Sequence, residues 1–138
     1  MAGKLTEGGC GCGAIRYRIA GEVTGSMICH CRTCRRVSGA AVLPWVSLPR
    51  SAYEVLKGRP AQFASSPPVR RTFCDKCGTQ LTYWHESEPD NLDVTTGSLD
   101  DPQAHPPSHH SWMSDALPWL KFGDGLPTFP RSRYSEGE

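Results

Sequence analysis

The chain has 138 residues, with 15 basic and 14 acidic side chains and a formal net charge of +1. Such a length predicts one domain, and the near-neutral charge provides no general attraction to nucleic acid or to an anionic membrane surface. The N-terminus lacks the apolar core of an export signal, and no segment approaches the roughly 20 apolar residues of a membrane span. We therefore expect a cytoplasmic protein, in which thiols stay reduced.

The predicted elements are short strands separated by turns rich in Gly, Pro, Ser or Asp. Residues 13–20 alternate Ile15, Tyr17 and Ile19 with arginines, and this period of two indicates a half-buried strand. A brief helix is predicted at 31–37, before Gly39. Further strands are predicted at 42–48, 53–56, 69–73, 80–84 and 92–95. The expected fold class is mainly β.

One domain is expected over residues 1–138, with an ordered core over about 7–130 and a tail over 131–138. The last forty residues are rich in proline and aromatic side chains. We expect this segment to wrap the sheets in extended form. Residues 135–138 are predicted to be disordered, as the ends of chains commonly are.

The seven cysteines form three clusters, and none lies outside them. An odd number of cysteines fits a disulfide framework poorly, so metal binding is the favoured interpretation. A structural zinc site takes four protein ligands, whereas a catalytic one keeps three and leaves a position open. Seven cysteines therefore predict one closed and one open zinc site, two zinc ions per chain.

The closed site is predicted on a C-x-C and a C-x-x-C pair, each in a glycine-containing turn that introduces a strand. Joining the pairs closes a loop of more than sixty residues, which should stabilise the fold. Four thiolates fill the coordination of zinc, so this site should be structural. A redox-active C-x-x-C is the alternative. The predicted ligands, called here the cysteine quartet, are Cys10, Cys12, Cys74 and Cys77.

The open site is predicted on Cys29, Cys31 and Cys34, called here the cysteine trio, which lie within six residues. His30 is a rival fourth ligand. Neighbouring side chains in an extended stretch point to opposite faces, however, so we expect His30 to hydrogen-bond behind the ligands. Zinc with three thiolates carries a formal charge of −1 and is a poor Lewis acid, but it can accept a substrate thiolate and keep it deprotonated.

Several other polar and aromatic residues are candidates for roles beside the open site. Arg32, Arg35 and Arg36 could offset thiolate charge or bind a substrate carboxylate, or they could form a solvated basic face. His110 could move a proton, as a histidine with a pKa near its usual value does; an ordinary packed histidine is the alternative. Asp100 is expected in a turn. Trp112 and Trp119 are expected to pack in the core, with a pocket wall as the alternative.

Taken together, these motifs resemble the glutathione-dependent formaldehyde-activating enzyme family, which includes centromere protein V. The likeness covers about residues 7–130. The matching pieces are C-G-C-G-A-I-R-Y at 10–17, C-H-C-R-T-C-R-R at 29–36, S-S-P-P-V-R-R-T-F-C-D-K-C-G-T-Q-L at 65–81, T-G-S-L-D at 96–100, and P-W followed by D-G-L-P-T-F within 118–129. His110 also aligns, whereas Ser111 and Ala116 replace residues that are often apolar and basic in the family.

The resemblance implies a β-tent zinc fold of small antiparallel sheets, with a structural zinc on the quartet and a second zinc on the trio. It implies a carbon–sulfur lyase that adds glutathione reversibly to formaldehyde, with a small thiol and a small aldehyde as partners. The alternative from another class is a noncatalytic zinc-binding module that binds a partner through the same surface.

Overall fold

The computed structural model describes residues 5–133. These residues contain ten strands, one α-helix and four 3-10 turns, joined by loops. The strands are β1 (Leu5–Gly9), β2 (Arg16–Ala20), β3 (Gly25–Cys29), β4 (Leu43–Pro49), β5 (Tyr53–Lys57), β6 (Ala61–Phe63), β7 (Val69–Phe73), β8 (Gln80–His85), β9 (Asn91–Thr95) and β10 (His110–Ser111). The helix α1 spans Arg32–Ser38. The fold is mainly β, as predicted.

The strands form two sheets. The smaller has the order β1-β2-β5, and the larger has the order β10-β3-β4-β9-β8-β7-β6. Among the described strands, β10 alone pairs in parallel, with β3, and the other pairings are antiparallel. The paired strands β3, β4, β9, β8 and β7 therefore form a continuous surface across which side chains lie in register.

One face of the larger sheet packs in the core. Val46, Leu48 and Val94 are fully buried there and cluster with Tyr17 and Ile19 of the smaller sheet. Burial of each such side chain contributes about 1.5–3 kcal/mol relative to its exposure. The core thus joins the two sheets through the even-numbered positions of β4 and β9.

The opposite face of the larger sheet carries a row of polar side chains. Neighbouring strands pair these residues in one line: Arg71 of β7 with Tyr83 of β8, Tyr83 with Asp93 of β9, and Asp93 with Ser47 of β4. Because side chains alternate between the two faces of a strand, these residues share the face opposite the apolar core. This face is the floor of the cavity described below.

The predicted helix and five of the six predicted strands agree with the structure to within one residue at each end. The strand predicted at 69–73 has the observed bounds of β7. The strand predicted from residue 13 begins only at Arg16, because residues 10–15 form a turn in which the Cys10 N–H donates to the Ile15 carbonyl. The predicted strands do not include β1, β3, β6 or β10. The sequences LTEGG of β1 and GSMIC of β3 contain glycine and serine, so tertiary pairing rather than local propensity forms them.

The segment after β10 runs alongside β10 and the residues that follow it. The His110 N–H donates to the Pro127 carbonyl, and the Phe129 N–H donates to the His110 carbonyl. Trp119, expected in the core, is 69% exposed, which corrects that expectation. The prediction of disorder at 135–138 lies outside the described residues. None of the described helices is long and apolar enough to cross a membrane.

Candidate functional site

The cysteine quartet comes together at one end of the molecule, from turns before β2 and β8. The Cys10 and Cys12 sulfurs are 3.6 Å apart, and the Cys12 and Cys74 sulfurs are 3.8 Å apart. All four sulfurs, including that of Cys77, lie within 4.8 Å of one another. Four thiolates about 2.3 Å from a tetrahedral zinc would be about 3.8 Å apart. The donor set and its spacing therefore fit zinc.

The two turns that carry the quartet have the same backbone plan. The Cys10 N–H donates to the Ile15 carbonyl, and the Cys74 N–H donates to the Thr79 carbonyl, at 3.1 and 3.0 Å. Backbone N–H groups also point at sulfurs, with Ile15 donating to Cys10 Sγ at 3.2 Å. Such donors stabilise thiolates, so the two turns favour the deprotonated sulfurs that bind a metal cation.

The cysteine trio lies at the junction of β3 and α1. Cys29 ends β3, Cys31 caps α1 by accepting the Cys34 N–H at 3.3 Å, and Cys34 lies in the first turn of α1. The three sulfurs lie within 4.8 Å of one another. Hydrogen bonds from Cys29 and Cys34 lower the pKa of Cys31 to about 2, while the same crowding raises the pKa of Cys29. Three soft donors at this spacing fit a zinc ion that keeps its fourth position open.

The trio opens into a cavity of about 1020 Å³. Its floor is the polar face of the larger sheet, and its rim includes Trp112 and residues of the trio. Trp45 and Tyr83 pack around Cys29 and Cys34. A cavity of this size admits a small peptide-like molecule beside the sulfurs. The quartet sulfurs do not line it. The trio is therefore the reactive candidate.

Arg71 lies against the trio with only 3% of its surface exposed. Both terminal guanidinium nitrogens are 3.9 Å from the Cys34 sulfur, and Nε donates to Ser65 Oγ at 2.9 Å. The guanidinium also lies over the Tyr83 ring, 4.9 Å from its centroid. No ion pair between described residues involves Arg71. A buried cation needs a counter-charge, and the Cys34 sulfur that it contacts would carry one when it binds a metal as a thiolate.

Tyr83 and Asp93 complete the polar floor beside Arg71. Burial raises the pKa of Tyr83 to about 12, so its hydroxyl stays protonated at neutral pH and can donate a hydrogen bond. Burial also raises the pKa of Asp93. Asp93 Oδ1 accepts from Ser47 Oγ at 2.6 Å and from Asn91 Nδ2 at 3.2 Å. The floor therefore presents a cation, a neutral donor and a carboxyl group in one row.

His30 points away from the trio, into a buried chain of hydrogen bonds. His30 Nε2 is 2.9 Å from His110 Nδ1, and His110 Nε2 is 2.8 Å from Asp124 Oδ2. Phe122 packs against both imidazoles. Burial lowers the pKa of His30. With both imidazole rings neutral, the two hydrogen bonds form if His110 Nε2–H donates to Asp124 and His110 Nδ1 accepts from His30 Nε2–H. The chain ties the C-terminal segment to the residue between two trio cysteines.

The three arginines predicted to bind a substrate lie in different places. Arg35 NH1 donates to the His30 carbonyl at 2.9 Å and to the Asp115 carbonyl, so it supports the backbone around the trio. Arg32 lines the cavity, whereas Arg36 is exposed and is not among the lining residues. Asp100 forms an exposed ion pair with Arg16, 2.9 Å from Arg16 NH1 to Asp100 Oδ1. His110 is buried outside the cavity lining.

The sequence patterns do not single out Arg71, Tyr83 or Asp93 as residues of the site. One signal was present for Arg71. In V-R-R-T-F, alternation places Arg71 on the same face as Val69 and Phe73, whereas Arg70 faces the other way. An arginine in phase with apolar residues indicates an inward-pointing charge, which needs a partner. For Tyr83 and Asp93, only the pairing of β7, β8 and β9 shows their position.

Comparisons with known proteins give a family and a similar fold. A family described as glutathione-dependent formaldehyde-activating enzyme matches residues 5–115, which includes both cysteine clusters and the cavity floor. Among solved structures, a protein of Rhodobacter sphaeroides has a similar fold, with a TM-score of 0.58 and 22% sequence identity. The similarity covers 68% of this chain and 87% of that one.

Proposed function

The chain belongs to the glutathione-dependent formaldehyde-activating enzyme family, and from this premise we propose that it is a carbon–sulfur lyase that adds a glutathione-like thiol reversibly to a small aldehyde such as formaldehyde. The observation that carries the proposal is the trio itself. Three sulfurs lie within 4.8 Å of one another and open into a cavity of about 1020 Å³. A noncatalytic zinc module needs no such cavity beside an incomplete ligand set.

We propose that the quartet binds one zinc ion and the trio a second. When bound to the trio, zinc supplies an open position that keeps a fourth sulfur in its thiolate form at neutral pH. The fit rests on the donor chemistry and sulfur spacing of each cluster. Thiolate ligands need a reducing compartment, so we place the protein in the cytoplasm.

In the addition step the substrate thiol first loses its proton to solvent. The sulfur lone pair attacks the carbonyl carbon, a C–S bond forms, and the electrons of the C=O π bond move to oxygen. That oxygen takes a proton to give the hydroxymethyl thioether, and the reverse sequence releases the aldehyde. Each direction conserves electrons, so no oxidant or reductant is required.

The residues on the cavity floor have defined roles in this proposal. Arg71, 3.9 Å from the Cys34 sulfur, offsets the negative charge of the sulfurs when a further thiolate arrives. Tyr83 packs beside the trio and donates a hydrogen bond to the oxygen as it gains charge. Arg32, at the cavity edge, binds a carboxylate of the thiol. A proton-transfer role for His110 stays a prediction, because its ring reaches the trio segment only through His30.

The test is two-dimensional exchange NMR on formaldehyde and glutathione with the zinc-loaded protein. The protein should accelerate exchange between free aldehyde and adduct, and Cys31→Ser should abolish the acceleration while removing one zinc equivalent. Absence of acceleration by a sample with both zinc ions would refute the proposed reaction. If Cys31→Ser unfolded the chain, the trio would be structural and the reaction would lose its site.

A further inference from the structure

Asp93 places a carboxyl group on the cavity floor, and only one of its two oxygens accepts hydrogen bonds from described residues. Oδ1 accepts both hydrogen bonds, from Ser47 at 2.6 Å and from Asn91 at 3.2 Å, and neither contact uses Oδ2. Asp93 lines the cavity. A carboxylate has about four acceptor positions, so Oδ2 offers a free acceptor to a ligand.

No cation among the described residues forms an ion pair with Asp93. The ion pairs between described residues do not include it. The nearby charges that act on it are Glu88, which also lines the cavity, and Arg71, whose guanidinium lies against Cys34. Burial raises the pKa of Asp93, so the ionised form is disfavoured without a partner. A cationic ligand group would relieve that cost.

The register of the sheet gives the distance from Asp93 to Arg71, the floor residue that contacts the trio. Arg71 pairs with Tyr83, and Tyr83 pairs with Asp93. Two strand spacings separate Arg71 from Asp93, about 10 Å, and side chains on one face stand nearly parallel. Arg71 itself contacts Cys34. A ligand with its sulfur at the trio must therefore extend on the order of 10 Å to reach Asp93.

The length of the ligand distinguishes classes of thiol. In a γ-glutamyl thiol such as glutathione, about eight bonds separate the sulfur from the primary amine, which spans about 10 Å when extended. In cysteine about three bonds separate the same groups, which spans about 4 Å. The first class reaches from the trio to Asp93, and the second does not.

We propose that Asp93 binds the primary ammonium group of the thiol substrate, so that the cavity selects γ-glutamyl thiols over short aminothiols and over thiols without an amine. The inference rests on the proposed function and adds a specificity-determining residue to it. The ammonium donates to Asp93 Oδ2, while Ser47 and Asn91 keep Oδ1 in place.

Binding to the zinc-loaded protein tests the inference, measured by calorimetry with glutathione and with N-acetylglutathione. The wild type should bind glutathione at least about tenfold more tightly, because acetylation removes the charge of the amine. Asp93→Asn should raise the Kd for glutathione about 10- to 100-fold and change that for N-acetylglutathione less than about twofold. Asp90→Asn, which removes an exposed carboxylate outside the cavity lining, is the matched control for net charge.

The outcomes separate this inference from the proposed function. Equal affinities of the wild type for the two ligands would overturn the ammonium site without use of any variant. Equal losses of both ligands in Asp93→Asn would also overturn it and show a structural role. If the wild type bound both ligands with the expected preference but did not accelerate aldehyde exchange, the reaction would fail and the ammonium site would stand. Without glutathione binding by the zinc-loaded wild type, both would fail.

Discussion

Replacing Arg71 with methionine tests whether a buried cation stabilises the thiolates of the trio. Methionine keeps the apolar length of the side chain and removes the charge. At the observed 3.9 Å and an effective dielectric constant of about 20, one full charge pair is worth about 4 kcal/mol. The guanidinium charge is shared between nitrogens and the sulfur charge between ligands. We therefore expect about half, 2 kcal/mol, which corresponds to roughly a 30-fold loss in kcat/KM.

The assay is aldehyde–adduct exchange at subsaturating glutathione, with zinc content measured on the same samples. Arg71→Lys keeps the charge and should lose less activity than Arg71→Met. Arg70→Met is the matched control, because the Arg70 guanidinium binds the carbonyls of Pro67 and Val69 rather than the trio. This control should stay within about twofold of the wild type. Thermal unfolding of each variant checks that the fold survives.

Two results would refute the reasoning about Arg71. Wild-type kcat/KM in Arg71→Met, with two zinc ions per chain, would show that the charge does not act on the reacting sulfur. An equal loss in Arg71→Lys and Arg71→Met would show that stacking on Tyr83, rather than charge, is what the site requires.

Three further predictions concern the scaffold. Gly8→Ala should lower the free energy of unfolding in urea by about 2 kcal/mol, because the added Cβ would collide with a tyrosine hydroxyl and a backbone carbonyl. Gly97→Ala is the control: the space around its Cβ is open, so this variant should change the free energy of unfolding by less than about 0.5 kcal/mol. Cys12→Ser should remove one zinc and about 4 kcal/mol of stability, the loop-closure value for its 62-residue separation from its partner, whereas Cys31→Ser should leave the unfolding transition near that of the wild type. Asp124→Asn should lower the melting temperature only slightly and leave kcat/KM within about twofold.

Each of these has an outcome that contradicts it. Equal stability of the two glycine variants would show that the sheet near Gly8 adapts to an added methyl group. A Cys12→Ser variant as stable as the wild type would mean that the quartet does not cross-link the fold. A tenfold fall in kcat/KM for Asp124→Asn, with a changed pH profile, would support a proton-transfer role for His110 over a positioning one.

Local sequence patterns predict the strands whose apolar residues are the ones that become buried. Residues 69–73, with the sequence V-R-R-T-F, form β7 with the predicted bounds. The spacing of the cysteines predicts their grouping, because pairs two or three residues apart can converge on one ion only in a few ways. The structure brings both predicted groups within bonding range of a metal.

The contacts that the sequence does not predict depend on the register between strands that are far apart in the chain. The row from Arg71 to Asp93 depends on the order β7-β8-β9 and on an irregularity between Thr72 and Phe73. The His30 and His110 rings meet across 80 residues because β10 pairs in parallel with β3. Neither relation has a local signal, since pairing partners far apart in sequence are chosen by the packing of the whole sheet.

The separation of the quartet in sequence has a consequence for biosynthesis. Cys10, Cys12 and the whole trio are translated before either of the remaining quartet ligands, and Cys12 precedes Cys74 by 62 residues. At about 5–20 residues per second, that interval lasts roughly 3–12 s. Once Cys34 has been translated, the nascent chain carries five of the seven cysteines but not yet the complete quartet. The proposed zinc quartet is therefore complete when β7 and the turn after it have emerged, so a zinc bound there would join the N-terminal turn to the end of β7 before β8, β9 and β10 of the larger sheet are translated.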